Sequence, residues 1–344
     1  VKLSGDIKLV NDVTVCIRNA AIADNTTIDG QSKYSLTLKN IPVFHMLSPT
    51  SVITIGNDVH INQVKDFSFV FRKHSALNAL VSTYLFSPVS LTVGKNFTVD
   101  ATGDVTMSME GIGNTYITFA SGVNINAKGN VTIKATNQNG WGTGFFSSNI
   151  VNVLGKAVQL LPGAGGTEAG KFISQLGLIK FDADKFIKTC FGKSKSKELQ
   201  VPQLGLRISK ASVTFANNAA GTIQGKTVTI GSASTANVSG RKKWENSWGG
   251  LSVGVVYNSS MVDLGKNLTI TATGYKETTV GDNKVKTSVS ITSSTNSKVS
   301  QESLYDSNAE HFALGVLISL GFDYNTVNID KSVTISAPQD INIT

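Results

Sequence analysis

The chain of 344 residues carries a formal net charge of +8, yet only 16 % of its residues are charged, well below the roughly 25 % of an ordinary globular domain. Gly, Ser, Thr and Asn stand in for charge, while Val, Ile and Thr hold the mean hydropathy at +0.04; that balance excludes a disordered chain and favours strands. The two cysteines, Cys16 and Cys190, have no metal-type or disulfide-framework spacing, and no apolar run reaches the ~18 residues of a membrane span, so neither a metal site nor membrane insertion is expected.

Read from the start, residues 9–15 (LVNDVTV) alternate about a polar turn, and residues 53–62 (ITIGNDVHIN) repeat the form. A short helix is predicted over 75–86, after which the form returns more fully at 91–101 (LTVGKNFTVDA). Residues 122–135 hold two units in succession, GVNINA and GNVTIKA, with Lys128 between them. Helical spacing then takes over. Ile150, Val153, Leu154, Ala157, Val158 and Leu161 share one face, closed by Pro162 and Gly163. Asp182 caps a second helix with Phe186, Ile187, Cys190 and Phe191 on one side, stopped at Gly192. The strand pattern resumes at 222–230 (TIQGKTVTI). Two alternating stretches, 250–258 and 312–325, then each precede an 11-residue unit, 262–272 (VDLGKNLTITA) and 327–337 (VNIDKSVTISA). These two units match each other and 91–101 without a gap.

Each half of a unit alternates with period two, so Val, Ile, Leu and Phe line one face and Thr, Asn and Lys the other. Such strands also suit an antiparallel sandwich, but the likeness of the copies favours coiling, with equivalent strands stacked in parallel about 4.8 Å apart. The expected fold is therefore all-β: a right-handed parallel β-helix over 1–144 and 201–344, with a helical insertion over 145–200. At about 20–30 residues per coil the chain would make about ten coils, a rod of about 50 Å. Phe97, Leu268 and Val333 should stack inside, Thr98, Thr269 and Thr334 outside, and Asn96, Asn130 and Asn267 should form amide ladders at the turns.

On these GKNLTITA-type units, the chain resembles filamentous-haemagglutinin-type exoproteins, in particular the leukotoxin-family filamentous adhesins of anaerobic bacteria. In those a GxSVGVxxN-like strand precedes a GxxVTVxA-like pair, which residues 250–274 match best and 315–344 next. The likeness covers about half the chain; residues 18–46 and 145–200 depart from it, and no secretion-signal domain is recognisable. It implies a β-helical stalk exported from the cell, displayed or released, and engaged in attachment to cells, with toxicity in some members. The start at Val1, without Met or a visible signal peptide, is read as a piece cut from a longer chain.

Candidate chemistry is sparse. Residues 165–171 (GGTEAGK) have phosphate-loop spacing, but Phe172 stands where a Mg²⁺-binding hydroxyl is needed and a helix precedes it, so no nucleotide or other cofactor is expected. His45, His60, His74 and His311 form no metal-binding pair. A polysaccharide-cleaving β-helix needs converging carboxylates, and of the scattered aspartates Asp100 and Asp104 are the pair to check. The binding candidate is Arg241, Lys242, Lys243, Trp244 and Trp248, three cations and two indoles between repeats in a loop too polar for core. Such a set suits sugar rings or an anionic surface, unless the indoles cover the flank of the rod; Trp141, in a Gly-rich turn, is a weaker candidate. Lysines such as Lys95, Lys266 and Lys331 sit in turns and give no nucleic-acid surface. The expected role is non-catalytic: an extracellular or surface-displayed stalk that meets a cell-surface receptor or glycan. Self-assembly end to end and polysaccharide cleavage are the alternatives.

Overall fold

A computed structural model of the chain describes residues 2–16, 21–39, 51–72, 89–111, 114–138, 141–147, 203–217, 219–244, 249–305 and 314–344. Three parallel sheets wrap these residues into eight coils, each coil giving one strand to each sheet in turn. The first sheet stacks Lys2–Leu3, Ala21–Ile22, Ser51–Ile55, Val89–Val93, Thr115–Phe119, Gln203–Phe215, Gly249–Asp263 and Leu314–Asn328. The second stacks Asp6–Lys8, Thr27–Asp29, His60–Val64, Thr98–Ala101, Asn124–Ala127, Thr222–Gly225, Thr269–Ala272 and Thr334–Ser336. The third stacks Val13–Cys16, Leu36–Lys39, Phe67–Arg72, Val105–Gly111, Val131–Gln138, Val228–Trp244, Asn283–Tyr305 and Asp340–Ile343. The fold is a parallel β-helix. The parallel pairing rules out the antiparallel sandwich.

The interior is built from columns in which like rests on like. Ile7, Ile28, Ile61, Val99, Ile125, Ile223, Ile270 and Ile335 occupy one register position through all eight coils. The six inner members are almost fully buried, and the two end members are partly so. β-Branched side chains fit a half-buried pleated surface well, and each fully buried one contributes about 1.5–3 kcal/mol. In the first sheet Phe119 lies on Phe215 of the next coil, rings stacked 4.5 Å apart. Phe97 and Leu268 are buried, and Val333 packs against the same core. Thr98 and Thr269 face outward and half-buried, Thr334 outward and exposed.

The corner between first and second sheets is sharp, and one residue there takes the left-handed conformation in six consecutive coils: Asn25, Asp58, Asn96, Gly122, Ala220 and Asn267, with φ from 39° to 77°. Asn and Asp tolerate this region because a short polar side chain offsets the clash at Cβ, and Gly has no Cβ at all. The corner amides run along the stack: Asn25, Asp58, Asn96 and Gly122 each donate to a carbonyl of the next coil, at 2.6–2.9 Å. At the corner between second and third sheets side chains make the same link. Asp66 Oδ1 accepts the Asp104 N–H at 2.8 Å, and Asp104 Oδ1 accepts the Asn130 N–H at 2.7 Å.

Two expectations are corrected by this geometry. Among the described residues the coils number eight against the ten expected, because the long strands of the later coils use more residues than the expected coil length; eight coils step over roughly 34 Å. The amide ladder does not form: Asn96 and Asn267 lie three coils apart at one corner, and Asn130 lies at the other. Asparagine stacks on aspartate instead, Asn96 Nδ2 donating to Asp58 Oδ1 at 2.8 Å. Trp141–Ser147 pairs antiparallel with Gln203–Phe215, off the parallel stack. The predicted helices over 75–86, 150–161 and 182–191, and Cys190, lie outside the described residues.

From the sixth coil onward the strands outgrow the three-sided core. First-sheet strands reach 13, 15 and 15 residues and third-sheet strands 17 and 23. The extended halves face each other as a two-layered arch with its own small core of Ala236, Val238, Val256 and Val299.

Two substitutions test the columns and the corner. Ile223→Ala, which opens a hole in the centre of the eight-membered column, should cost about 2–5 kcal/mol in urea unfolding. At Asn96, Gly should be nearly neutral and Val should lose about 1–2 kcal/mol, since only Val clashes at positive φ; equal losses for the two would remove the corner from the account.

Candidate functional site

The basic and aromatic cluster predicted for a loop begins inside a strand. Arg241, Lys242, Lys243 and Trp244 end the strand Val228–Trp244, their backbone paired in parallel with residues 302–305, Arg241 opposite Glu302 and Trp244 opposite Tyr305. The correction follows from strand length: the arch carries the ladder 14 residues past Ile230, the last third-sheet core residue of that coil, a path on the order of 40 Å. Trp248 lies outside the described residues, between Trp244 and the next strand, Gly249–Asp263. Trp141 begins its own short strand.

A second projection was not foreseen. Lys276–Val280 and the start of Asn283–Tyr305 form an antiparallel hairpin with Val280 opposite Asn283. The two-residue turn has Gly281 at φ 62°, as a tight turn with glycine in its first position requires. Tyr275, Glu277, Thr279, Lys284 and Lys286 share one face: Lys286 Nζ lies 5.0 Å from the Tyr275 ring centroid and Lys284 Nζ 2.9 Å from Glu277 Oε1. The signal was present in Val-Gly-Asp-Asn flanked by alternating residues.

Near the C-terminal end, Asp263, Lys266, Asn328 and Asp330 line a polar groove of about 420 Å³. Asp263 Oδ1 accepts the Gly265 N–H at 3.0 Å. Asp330 Oδ1 accepts the N–H and hydroxyl of Ser332, at 3.0 and 2.7 Å. These two hydrogen bonds, with Lys266 and Lys331 nearby, hold the Asp330 carboxyl below its ordinary range.

A buried polar seam lies where the three-sided core gives way to the arch. Asn137 Nδ2 donates to Ser209 Oγ at 2.6 Å, and Ser209 Oγ meets Ser234 Oγ at 2.8 Å. Asn258 Nδ2 donates to the Ser234 carbonyl at 3.0 Å and to Ser297 Oγ at 3.1 Å, and Ser297 Oγ donates to Asp323 Oδ1 at 2.5 Å. This chain steps between first and third sheets from the fifth coil to the eighth. The alternation of Ser and Asn in sequence gave no hint of it, because outward positions in the repeats carry the same residues.

The carboxylate pair does not converge as catalysis requires. Asp100 faces outward on the second sheet and accepts from Asn126 Nδ2 at 3.1 Å, whereas Asp104 sits at the next corner, engaged by Asn130. Among the described residues no group of three or more His, Cys, Asp or Glu is placed to hold a metal ion. His60 takes an outward position, Nδ1 2.7 Å from Thr98 Oγ1. His45, His74, His311 and residues 165–171 lie outside the described residues. Among the described residues no helix is long and apolar enough to cross a membrane.

No family model matches the chain, and no curated protein and no solved structure matches it either.

Removing the Ser332 hydroxyl isolates its share of the Asp330 shift. With Ser332→Ala, the Asp330 carboxyl should titrate closer to its ordinary range in a pH series of NMR spectra, because one donor to the carboxylate is lost. A depressed carboxyl stabilises above its unfolded pKa and loses that contribution as pH falls, so the variant should show the weaker acid sensitivity of the two.

Proposed function

We propose that the chain is a non-catalytic β-helical stalk segment of a secreted or surface-displayed bacterial adhesin or exotoxin, of the filamentous-haemagglutinin type, and that it serves attachment to cells. The observation that carries this reading is the division of labour along the strands. Inward positions through eight coils are given to the apolar columns, and the polar corner residues are taken up in tying coil to coil. Contact chemistry is left to the projections. Arg241, Lys242, Lys243 and Trp244, at the end of the strand Val228–Trp244, carry it together with Trp248, four residues on in sequence. Indole beside guanidinium and ammonium suits a sugar ring or an anionic cell-surface glycan, through stacking and charge together. The hairpin bearing Tyr275 and Lys286 offers a second contact of the same chemistry.

Polysaccharide cleavage is the less favoured reading, because Asp100 and Asp104 are already engaged by separate asparagines at separate places. The test pairs glycan-array and cell-binding measurements with a depolymerisation assay on the same polysaccharides. Binding without cleavage is expected. Trp244→Ala and Trp248→Ala should each weaken cell binding about tenfold, the loss of a hot-spot aromatic, with the melting temperature unchanged. Undiminished binding in the double variant would remove this cluster from the proposal, and shortened polysaccharide would replace the stalk with an enzyme.

A further inference from the structure

The polar groove at Asp263 crosses the corner between first and second sheets, and three successive coils line it. Asn217 comes from the sixth, Asp263 and Lys266 from the seventh, and Asn328, Ile329 and Asp330 from the eighth. The seventh coil has a neighbour on each side, so the groove lies on the flank of the stack. The outward first-sheet column beside this corner runs Thr54, Thr92, Thr118 and Thr214, then changes to Asp263 and Asn328. Hydroxyls give way to a carboxylate and an amide where the groove is.

The corner's own bonding rule is broken at the same place. In the third, fourth and fifth coils the corner spans six positions, from Thr54 to His60, Thr92 to Thr98 and Thr118 to Asn124. In the sixth it spans eight, from Thr214 to Thr222, with Asn217 inside the longer stretch. Gly56, Gly94, Ala120 and Ala216 each donate to a carbonyl of the preceding coil, at 2.7–2.9 Å. Gly265, next in that series, donates to Asp263 Oδ1 within its own coil. The left-handed corner amides pass from coil to coil as far as Ala220, which donates to the Lys266 carbonyl, whereas Asn267 donates to the Ser332 hydroxyl. Asp330 then stands where the third, fourth and seventh coils have glycine. A Cβ at Gly265 would run into the Ala216 carbonyl oxygen, so Asp330 carries the side chain that such close stacking excludes. A repeat that exchanges its regular bonds for polar side chains breaks its own consistency, and function is where such breaks are expected.

The lining selects among ligands by charge. Like charges in contact are unfavourable, so Lys266 opposes a cation, while Asp263 and Asp330 oppose an anion. An uncharged ligand that both donates and accepts meets neither obstacle. Asp263 Oδ2 and Asn328 Nδ2 lie 3.5 Å apart, a pair that suits one sugar hydroxyl, which donates to the carboxylate and accepts from the amide. Ile329, 37 % exposed, offers an apolar patch to the C–H face of a ring. The volume of about 420 Å³ is that of a small-molecule site. We infer that this groove binds an uncharged pyranose unit of a glycan, held by Asp263, Asn328 and Lys266 against Ile329. It is a glycan contact separate from the cluster at Arg241–Trp248 and selective for neutral sugar.

The test is saturation-transfer difference NMR of the 344-residue chain with lactose, maltose and cellobiose. Transfer to at least one of these disaccharides is expected. Its affinity should fall about tenfold in Asp263→Asn and again in Lys266→Gln taken singly, each the loss of a hydrogen bond to a charged group. Lys95→Gln removes the same charge from the corresponding corner position of the fourth coil and should leave binding unchanged. Absence of transfer to all three sugars would overturn the inference. So would equal losses from the two lysine variants, which would assign the binding to the surface at large. Calcium binding at Asp263 and Asp330 that displaces the sugar would overturn it as well, since the groove would then be a cation site. The two lysine variants decide the matter even where Asp263→Asn disturbs the corner. No cells enter this measurement, so failure here leaves the stalk reading standing, and a failure of the Trp244 variants to weaken cell binding leaves the groove untouched.

Discussion

In-register stacking of identical strand positions is the constraint on which the rest of this molecule depends. A single coil buries nothing by itself; its inward isoleucine leaves water only when another lies above and below it. With a side-chain period of two, a slip of one residue would turn the whole column from Ile7 to Ile335 outward. The ends of the stack carry the proof of this dependence. Ile341 and Ile343 are 43 % and 46 % exposed, whereas Val289 and Ile291, on which they rest, are fully buried.

The corners turn that constraint into a defined path. Left-handed residues recur at one corner because the chain changes direction there within a few residues, and the corner amides then point along the stack to the next coil. At the other corner aspartate side chains cap the amide of the coil that follows. Asp58, Asp66 and Asp104 each accept a hydrogen bond from a residue of the next coil, Asn96, Asp104 and Asn130 in turn.

From the sixth coil the same strands serve a second architecture. First and third sheets continue past the core and close on each other around Ala236, Val238, Val256 and Val299, with the Asn137–Asp323 seam between the two apolar regions. A buried polar layer that is hydrogen-bonded across both sheets leaves few alternative registers for the long strands. Asn137 Oδ1 and Asn258 Oδ1 are buried without a partner among the described residues, so the layer fixes position at some expense of stability. The arch also carries the ladder on to Arg241–Trp244, 14 residues past Ile230.

The sequence by itself determined the coil grammar: apolar alternation, a polar turn, and units alike enough to stack. The position-by-position match of 91–101, 262–272 and 327–337 is the register the sheets adopt, because neighbours along a column share one environment and so one residue class. Only the tertiary structure decided how many coils the units make, since second- and third-sheet strands obey the same period and read as separate repeats. It alone decided that Asn96 meets Asp58 and not Asn267, because which coils are neighbours depends on the whole winding. It alone revealed the arch and the seam. Their polar residues differ from surface residues only in what lies opposite them, and that is a property of two sheets and not of one strand.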